Sequence, residues 1–343
     1  MHLAIREAVE TLDESAGKQA VEPRLRGRLA DVQAMLSDDL AWLERALAEI
    51  ASVGPAPATD AARHLVSQGG KRVRPMALLL SAACFGEVPA RARELGVVAE
   101  LVHSATLLHD DVIDDGTERR GAPAARRLWT NAVSVLAGDL LLVHALEQTG
   151  RHAPEVLPSL ISTLRLLVDG EIIQLRGRSA LDVSEATYDL ILRGKTASLF
   201  RWATATGARI GGAPPVEEER LAQFGEEVGM AFQLVDDVLD YEGDGTDKTF
   251  CADLREGKLT LPLVLAVQRD PRLVDPLRTI HGGDDAPVEE VRGRVLAAGV
   301  CADVRRRAAD HTSRAVGVLR RAPPGPARAL LESVALELVA RHR

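Results

Sequence analysis

The sequence predicts an all-α protein, and three observations carry the prediction. Aromatic residues make up 3% of a chain that is 46% hydrophobic, so Ala, Leu and Val supply the apolar content. Those residues suit helices, whereas the Tyr, Phe and Thr of sheet-rich folds are in short supply. Apolar positions recur at intervals of three and four, alternating runs are scarce, and no solenoid repeat is present. The 343 residues are enough for a sizeable core, as two ordinary domains or one large one. The reading adopted is a single all-α domain over 26–343, preceded by an N-terminal lead over 1–25.

Taken in order, Leu40, Leu43, Leu47 and Ile50 form a first helical stripe. Asp38 and Asp39, directly after Ser37, read as the capped start of that helix. Breaks follow at Gly54-Pro55-Ala56-Pro57, at 211–215, at 281–287 and at 322–326, each a turn and none long enough for a flexible linker. Leu160, Leu164, Leu167 and Ile172 make a second stripe. Arg193 to Ile210 is apolar around most of its circumference, as a central helix is.

The net charge of −8, from 42 basic and 50 acidic residues, argues against general nucleic-acid binding, which needs a basic face. Cys84, Cys251 and Cys301 are widely spaced and form no paired metal motif, which suits core packing in a reducing cytoplasm. Residues 1–18 are acidic and lack an apolar core, unlike a signal peptide, and no stretch approaches the ~18 apolar residues of a membrane span. A soluble, cytoplasmic, helical protein is the expectation.

Two acidic clusters carry the chemistry. Val97 to Leu108 is an apolar helix that runs into His109-Asp110-Asp111-Val112-Ile113-Asp114-Asp115. Asp110 and Asp114 stand at i and i+4 on one helix face, where like charges repel unless a cation joins them. Asp236, Asp237 and Asp240 repeat the DDxxD pattern at the end of a second apolar helix. A single DDxxD is weak evidence, because acidic helix ends are common and usually solvated. Two copies on otherwise buried-looking helices suit Mg²⁺, which takes one or two carboxylates, keeps waters and accepts phosphate oxygens. Cations accompany them: Gly69-Gly70-Lys71-Arg72-Val73-Arg74-Pro75, Arg119-Arg120, Lys195-Thr196 and Lys258. Arginine forks and lysine point charges are the usual partners of phosphate, although singly each is more often a solvated charge. His109 reads as a helix-packing residue, or one that supports a ligand from behind, rather than a ligand, since Mg²⁺ prefers oxygen. Asp115 and Glu118 read as solvent-facing, and Arg305-Arg306-Arg307 as a solvated helix face or a dimer rim.

In this order, GGKRVRP, ELVHSATLLHDDVIDDGTERRG, GKTASLF, FQLVDDVLDYEGD and DLREGKLTLP resemble the trans-isoprenyl diphosphate synthases, the polyprenyl synthetase family. The resemblance covers roughly residues 30 to 343. It implies an isoprenoid-synthase-type helical bundle around a central cavity, usually a homodimer. It also implies head-to-tail condensation of isopentenyl diphosphate onto an allylic prenyl diphosphate, with release of diphosphate. Carried over position by position, Asp110, Asp111, Asp114, Asp236 and Asp240 are the expected metal ligands. Asp237 and Lys195 join them as catalytic residues. Arg119, Lys195, Thr196, Gln233, Lys248 and Lys258 are expected at the allylic diphosphate, and Lys71, Arg74, His103 and Arg120 at isopentenyl diphosphate. His103 lies seven residues before Asp110, two turns away on the same face, so one helix serves both substrates. Up to three Mg²⁺ ions are expected with substrate bound, with Mn²⁺ as the alternative. No protein nucleophile is needed, and released diphosphate is the expected proton acceptor. The pair Asp247-Lys248 stands where the family commonly has Gly-Lys.

Chain length in the family follows the depth of an apolar tunnel below the first cluster. The fifth and fourth residues upstream of Asp110 are Ala105 and Thr106, both small, and Leu101 and Val102 follow one turn further on, about 5.4 Å deeper. A hexaprenyl to decaprenyl product for a quinone side chain is therefore favoured over farnesyl or geranylgeranyl. The floor is expected on the Leu140 to Leu146 helix, with His144 either a polar stop or a dimer-face residue. Release of such a product near a membrane fits a chain without a membrane span. A terpene cyclase or squalene-type synthase is the distant rival and has no use for a second diphosphate pocket. A partner subunit of a heteromeric synthase typically lacks the acidic motifs kept here.

Overall fold

The computed structural model describes residues 23–242 and 251–340. The expected lead lies outside the described residues up to residue 22, as does Lys248. The first helix, α1 (Pro23–Ile50), runs unbroken through Ser37, Asp38 and Asp39, so the capped start expected there does not exist. Leu36 is fully buried and belongs to the same stripe as Leu43 and Leu47, which carries the helix back past the serine. The Ser37 hydroxyl bonds the Ala34 carbonyl at 3.4 Å, the way a mid-helix serine satisfies itself, and Asp39 is buried against Arg93.

The chain divides into two compact units. The first comprises Met1–Ser159, Ala203–Glu219 and Ala322–Ser333. After α1 it contains α2 (Ala58–Ser67), α3 (Val73–Ala83) and α4 (Ala90–Ile113). A hairpin of β1 (Glu118–Arg119) and β2 (Ala122–Pro123) then leads to α5 (Ala125–Leu128) and α6 (Asn131–His152). Arg120 and Gly121 at the hairpin tip both have positive φ, 52° and 76°, as a tight two-residue hairpin turn requires. Helices α4 and α6 are tied by the Ser134 hydroxyl, which donates to the Leu108 carbonyl at 2.9 Å. His109 packs here too, with Nε2 3.2 Å from the Val135 carbonyl and 3.3 Å from Asp139, the packing role expected of it. His144 turns inward, its Nε2 2.9 Å from the Val53 carbonyl, and so braces the loop after α1.

The second unit comprises Leu160–Trp202, Arg220–Arg321 and Val334–Arg343. Most of α7 (Leu157–Ala180) lies in it, followed by α8 (Glu185–Leu192) and a π-helical turn over Arg193–Ala197 that continues into α9 (Ser198–Ile210). Then come α10 (Pro215–Glu242), α11 (Ala252–Arg255), α12 (Leu261–Arg269), α13 (Val274–His281), α14 (Val288–Ala297), α15 (Val300–Leu319) and α16 (Pro326–Ala340). The four expected breaks separate α1 from α2, α9 from α10, α13 from α14, and α15 from α16. The core of the second unit gathers Leu234 and Val238 of α10, Leu263 and Ala266 of α12, and Val304 and Ala308 of α15.

Two surface expectations change. Leu160 and Leu167 are buried, but Ile172 is half exposed and joins Ile161, Val168 and Leu175 in an outward apolar stripe on α7. Arg305 and Arg307 are not merely solvated: they pair with Glu242 and Glu185, while Arg306 pairs with Asp303 on its own helix. Among the described residues, strand is confined to the hairpin, and the fold is all-α as expected.

Helices α3 and α9 cross at Gly207. A Cβ there would lie 2.1 Å from the Leu78 carbonyl oxygen and 2.9 Å from its carbon, both backbone atoms that cannot swing aside. Gly207→Ala should therefore destabilise the protein by about 1–3 kcal/mol, read as a lower denaturant midpoint at unchanged m-value.

Candidate active site

Helix α4 is buried at Leu101, Val102, Ala105 and Leu108 and partly open at His103, Thr106, Leu107 and Asp110. The open positions form one stripe, so His103 and Asp110 share a face as their spacing predicts. Of the four positions expected to govern chain length, Thr106 lies on that stripe. Ala105, Leu101 and Val102 are fully buried.

At the end of the stripe the first acidic cluster is pinned by backbone and arginine. The Asp114 amide closes on the Asp110 carbonyl at 2.8 Å, and the Gly116 amide on the Asp111 carbonyl at 2.9 Å. Asp111 is 1% exposed; its Oδ1 accepts Arg119 Nε at 2.9 Å and Nη2 at 2.5 Å. Its Oδ2 is buried and has no hydrogen-bond donor among the described residues. Burial pushes the Asp111 carboxyl above its usual range, Arg119 opposes the rise, and Asp110 and Asp114 add to it. Asp115 is exposed, as expected, but Arg126 claims it at 2.7 Å while also reaching the Gly116 carbonyl and Asn131.

Two turns back along α4, His103 sits among arginines. Burial lowers its pKa well below the ordinary value, and Arg74, Arg120, Arg72 and Arg119 lower it further. The imidazole is therefore neutral in a strongly cationic surrounding. Gly70 permits the crowding: a Cβ there would lie 3.0 Å from a guanidinium nitrogen of both Arg120 and Arg72. Within GGKRVRP the three cations divide their work. Lys71 is exposed and Arg74 half-buried, but Arg72 turns inward to grip Glu44 at 2.6 and 2.9 Å and Glu100 at 2.5 Å. Burial disfavours the Arg72 charge, and Glu100 and Glu44 more than restore it.

The second acidic cluster stands on α10. Asp236 is half-buried, and Asp237 is 2% exposed. Asp237 Oδ1 accepts the Gln233 amide at 3.0 Å, and Oδ2 accepts the Tyr188 hydroxyl at 2.6 Å and the Leu261 amide at 3.4 Å. Asp240 Oδ1 accepts the Ala252 amide at 2.9 Å. Its Oδ2, like that of Asp111, is buried without a donor among the described residues. Burial and the nearby Asp253 push the Asp237 carboxyl up to about 7, against the pull of its hydrogen bonds, and push Asp240 up as well.

Gln233 in turn accepts the Thr196 hydroxyl at 3.0 Å, which joins the cluster to the π-helical turn. Lys195 of that turn is ion-paired with Glu171 of α7. The turn fits because α7 crosses it glycine on glycine: a Cβ on Gly194 would lie 2.8 Å from the Leu166 carbonyl oxygen, and one on Gly170 would lie 2.9 Å from the Lys195 nitrogen. Lys258 is held by Glu256 at 2.5 Å and Asp253 at 3.3 Å. The sequence reading missed Tyr188, Arg126 and the π-helical turn. For the turn, glycines at 170 and 194 were the available signal.

The residues fit a hard divalent cation. Both clusters offer oxygen donors, and each keeps one buried carboxylate oxygen that nothing among the described residues satisfies. Among the described residues no three His, Cys, Asp or Glu side chains converge into a ready-made cage. Mg²⁺ commonly takes one or two carboxylates and completes its shell with water and phosphate oxygen.

Residues 56–296 match the family described as Polyprenyl synthetase. The chain belongs to that family. This polyprenyl synthetase is 36% identical over 299 residues to the all-trans-nonaprenyl-diphosphate synthase (geranyl-diphosphate specific) of Rhodobacter capsulatus, covering 85% of this chain and 92% of that one. It is 33% identical over 321 residues to the octaprenyl diphosphate synthase of Escherichia coli, covering 92% and 99%. Among solved structures, a polyprenyl synthase from Caulobacter crescentus, complexed with calcium and isoprenyl diphosphate, superposes with a TM-score of 0.85 at 34% identity, covering 91% and 97%. The fold is accordingly the all-α isoprenoid synthase fold, and the enzyme is a prenyltransferase of the medium- to long-chain trans type.

The Asp237 carboxyl gives a pH test. Its pKa in the fold, about 7, lies above its ordinary value of 3.8, so between those values the folded chain holds a proton that the unfolded chain releases. Rising pH therefore favours unfolding across that window. In EDTA, the melting temperature of the wild type should fall relative to that of Asp237→Asn as pH rises from ~5 to ~7, and the difference should level off above ~7. Thermal melts of both proteins across that range check it.

Proposed function

We propose that this chain is a Mg²⁺-dependent trans-polyprenyl diphosphate synthase that adds isopentenyl diphosphate repeatedly to an allylic diphosphate and makes a C30–C50 product. The observation that carries the proposal is on α4: an arginine-ringed neutral histidine and an acidic cluster share one face, seven residues or about 10.5 Å apart. That spacing gives one helix an anion pocket separate from its acidic cluster, as a two-diphosphate reaction needs and a cyclase does not.

In this reading Lys71, Arg74, His103 and Arg120 hold isopentenyl diphosphate, with His103 contributing a neutral hydrogen-bonding group. Arg119, Lys195, Thr196, Gln233, Lys248 and Lys258 hold the allylic diphosphate. Asp110, Asp111 and Asp114, and separately Asp236 and Asp240, hold Mg²⁺ or Mn²⁺, with Asp237 ordering the second set. The bound ions supply positive charge against the departing diphosphate. The chain itself positions the two diphosphates, keeps water from the allylic cation and leaves the final proton to the released diphosphate. Lys195 and Lys258 are presented already paired to carboxylates, so binding exchanges one anionic partner for another.

Relatives named as nonaprenyl and octaprenyl synthases support a long product, and so does the small Thr106 on the open side of α4. A farnesyl or geranylgeranyl product is the less favoured alternative. Both units are read as one functional domain over 26–343, working as a homodimer that covers the outward stripe on α7. The cytoplasm is the proposed location; no described helix is long and apolar enough to cross a membrane.

Asp110→Ala or Asp236→Ala should lower turnover at least ~100-fold, while the exposed Arg306→Ala stays within about twofold. Equal behaviour of all three would overturn the site assignment. Purified chain with labelled isopentenyl diphosphate should yield C30–C50 prenyl diphosphate without a second protein. A C15 or C20 end product rejects the long-chain reading, and no Mg²⁺-dependent turnover revives the partner-subunit reading. Thr106→Phe should shorten the product, measured by chromatography of the dephosphorylated prenols.

A further inference from the structure

Tyr188 belongs to none of the residues a diphosphate or metal would touch, yet its hydroxyl donates a hydrogen bond of 2.6 Å into the second acidic cluster. The ring is 9% exposed within the core of the second unit, in the same buried cluster as Leu192, Leu234 and Val238. Its hydroxyl donates to Asp237 Oδ2 at 2.6 Å, the Leu261 amide reaches the same oxygen at 3.4 Å, and the Gln233 amide takes Oδ1 at 3.0 Å. Thr196 donates to Gln233 at 3.0 Å. Every donor in this chain, Thr196 to Gln233 to Asp237 and Tyr188 to Asp237, points toward one carboxylate. Both oxygens of Asp237 are thereby engaged and held to the protein side, while its neighbours Asp236 and Asp240 are half-buried.

We propose that Tyr188 is a positioning residue for the Mg²⁺-diphosphate site, acting through Asp237 and Gln233 to hold the second acidic cluster and the Lys195-Thr196 turn in register. The inference rests on the synthase reading and adds a residue that contacts neither substrate nor metal. Outer hydrogen bonds of this kind fix the orientation of ligating groups, and their loss costs roughly 10- to 100-fold in metal affinity or activity. The Tyr188 hydroxyl matters more than its ring because the carboxylate it serves is fully buried and cannot recruit bulk water in its place.

Tyr188→Phe keeps the ring and removes only the oxygen. Isothermal titration of the protein with Mg²⁺ and inorganic diphosphate should show binding weakened roughly 10-fold or more. In steady state the half-saturating Mg²⁺ should rise and kcat should fall by a similar factor, with KM for isopentenyl diphosphate unchanged within twofold. In an Asp237→Asn background the same substitution should have little further effect, because the hydroxyl then has no carboxylate to hold. A variant with wild-type Mg²⁺-diphosphate binding and kcat but a lower melting temperature would make Tyr188 a packing residue and overturn the proposal, as would additive losses in the double variant. If Tyr188→Phe does not fold, Thr196→Val cuts the same network at its other end; unchanged Mg²⁺-diphosphate binding there also overturns it. A wild-type protein that binds Mg²⁺-diphosphate but makes no prenyl product rejects the synthase reading instead, which keeps the two failures distinct.

Discussion

The structure depends on how it distributes charge that cannot reach water. Three carboxylates end α4, three more end α10, and four arginines crowd one histidine. In a low-dielectric interior an unpartnered charge is costly enough that it either finds a counter-charge or changes its protonation. Here most of the buried charges find counter-charges. Arg72 is gripped between Glu44 and Glu100, Asp111 takes the Arg119 fork, and Lys195 leans on Glu171. The pairing explains why so much charge is tolerated without ligand.

What is left unbalanced is informative. One oxygen each of Asp111 and Asp240 is buried and unsatisfied among the described residues, and burial pushes both carboxyls upward. By contrast Asp237, the middle carboxylate of the second cluster, has both its oxygens engaged by protein donors. The three carboxylates of the second cluster are therefore not equivalent: Asp237 faces the core whereas Asp236 and Asp240 are half-buried, which follows from the helical repeat once one side of the helix is buried.

That division was only partly legible in the sequence. The shared face of His103 and Asp110 and the positions of the four breaks follow from helical periodicity and turn chemistry and appear in the structure, whereas Asp114 falls just past the end of α4 and is buried. Ser37-Asp38-Asp39 misleads because a cap signature is local, whereas the apolar stripe that overrides it starts earlier, at Leu36. GGKRVRP shows three cations of equal standing; only the left-handed backbone at Arg72, φ 47°, shows which of them turns into the core. The π-helical turn escapes a periodicity argument because the helix it leads into is apolar around most of its circumference, so one extra residue has no narrow stripe to displace. Partners distant in sequence, such as Tyr188 with Asp237 or Arg126 with Asp115, carry no spacing signal.

The shortage of aromatic residues takes on a sharper meaning at this site. The chain has only two tyrosines, Tyr188 and Tyr241, and both are buried beside the second acidic cluster. Tyr188 donates to Asp237, and Tyr241, next to Asp240 in sequence, accepts the Thr260 hydroxyl at 3.3 Å just before α12 begins. Phenylalanine would fill either space, so packing alone does not account for the hydroxyls. A buried phenol must find a polar partner, and placing both where carboxylates crowd together converts that requirement into local order. In a protein that builds its core from Ala, Leu and Val, the few polar rings stand where rigidity near buried charge is needed most.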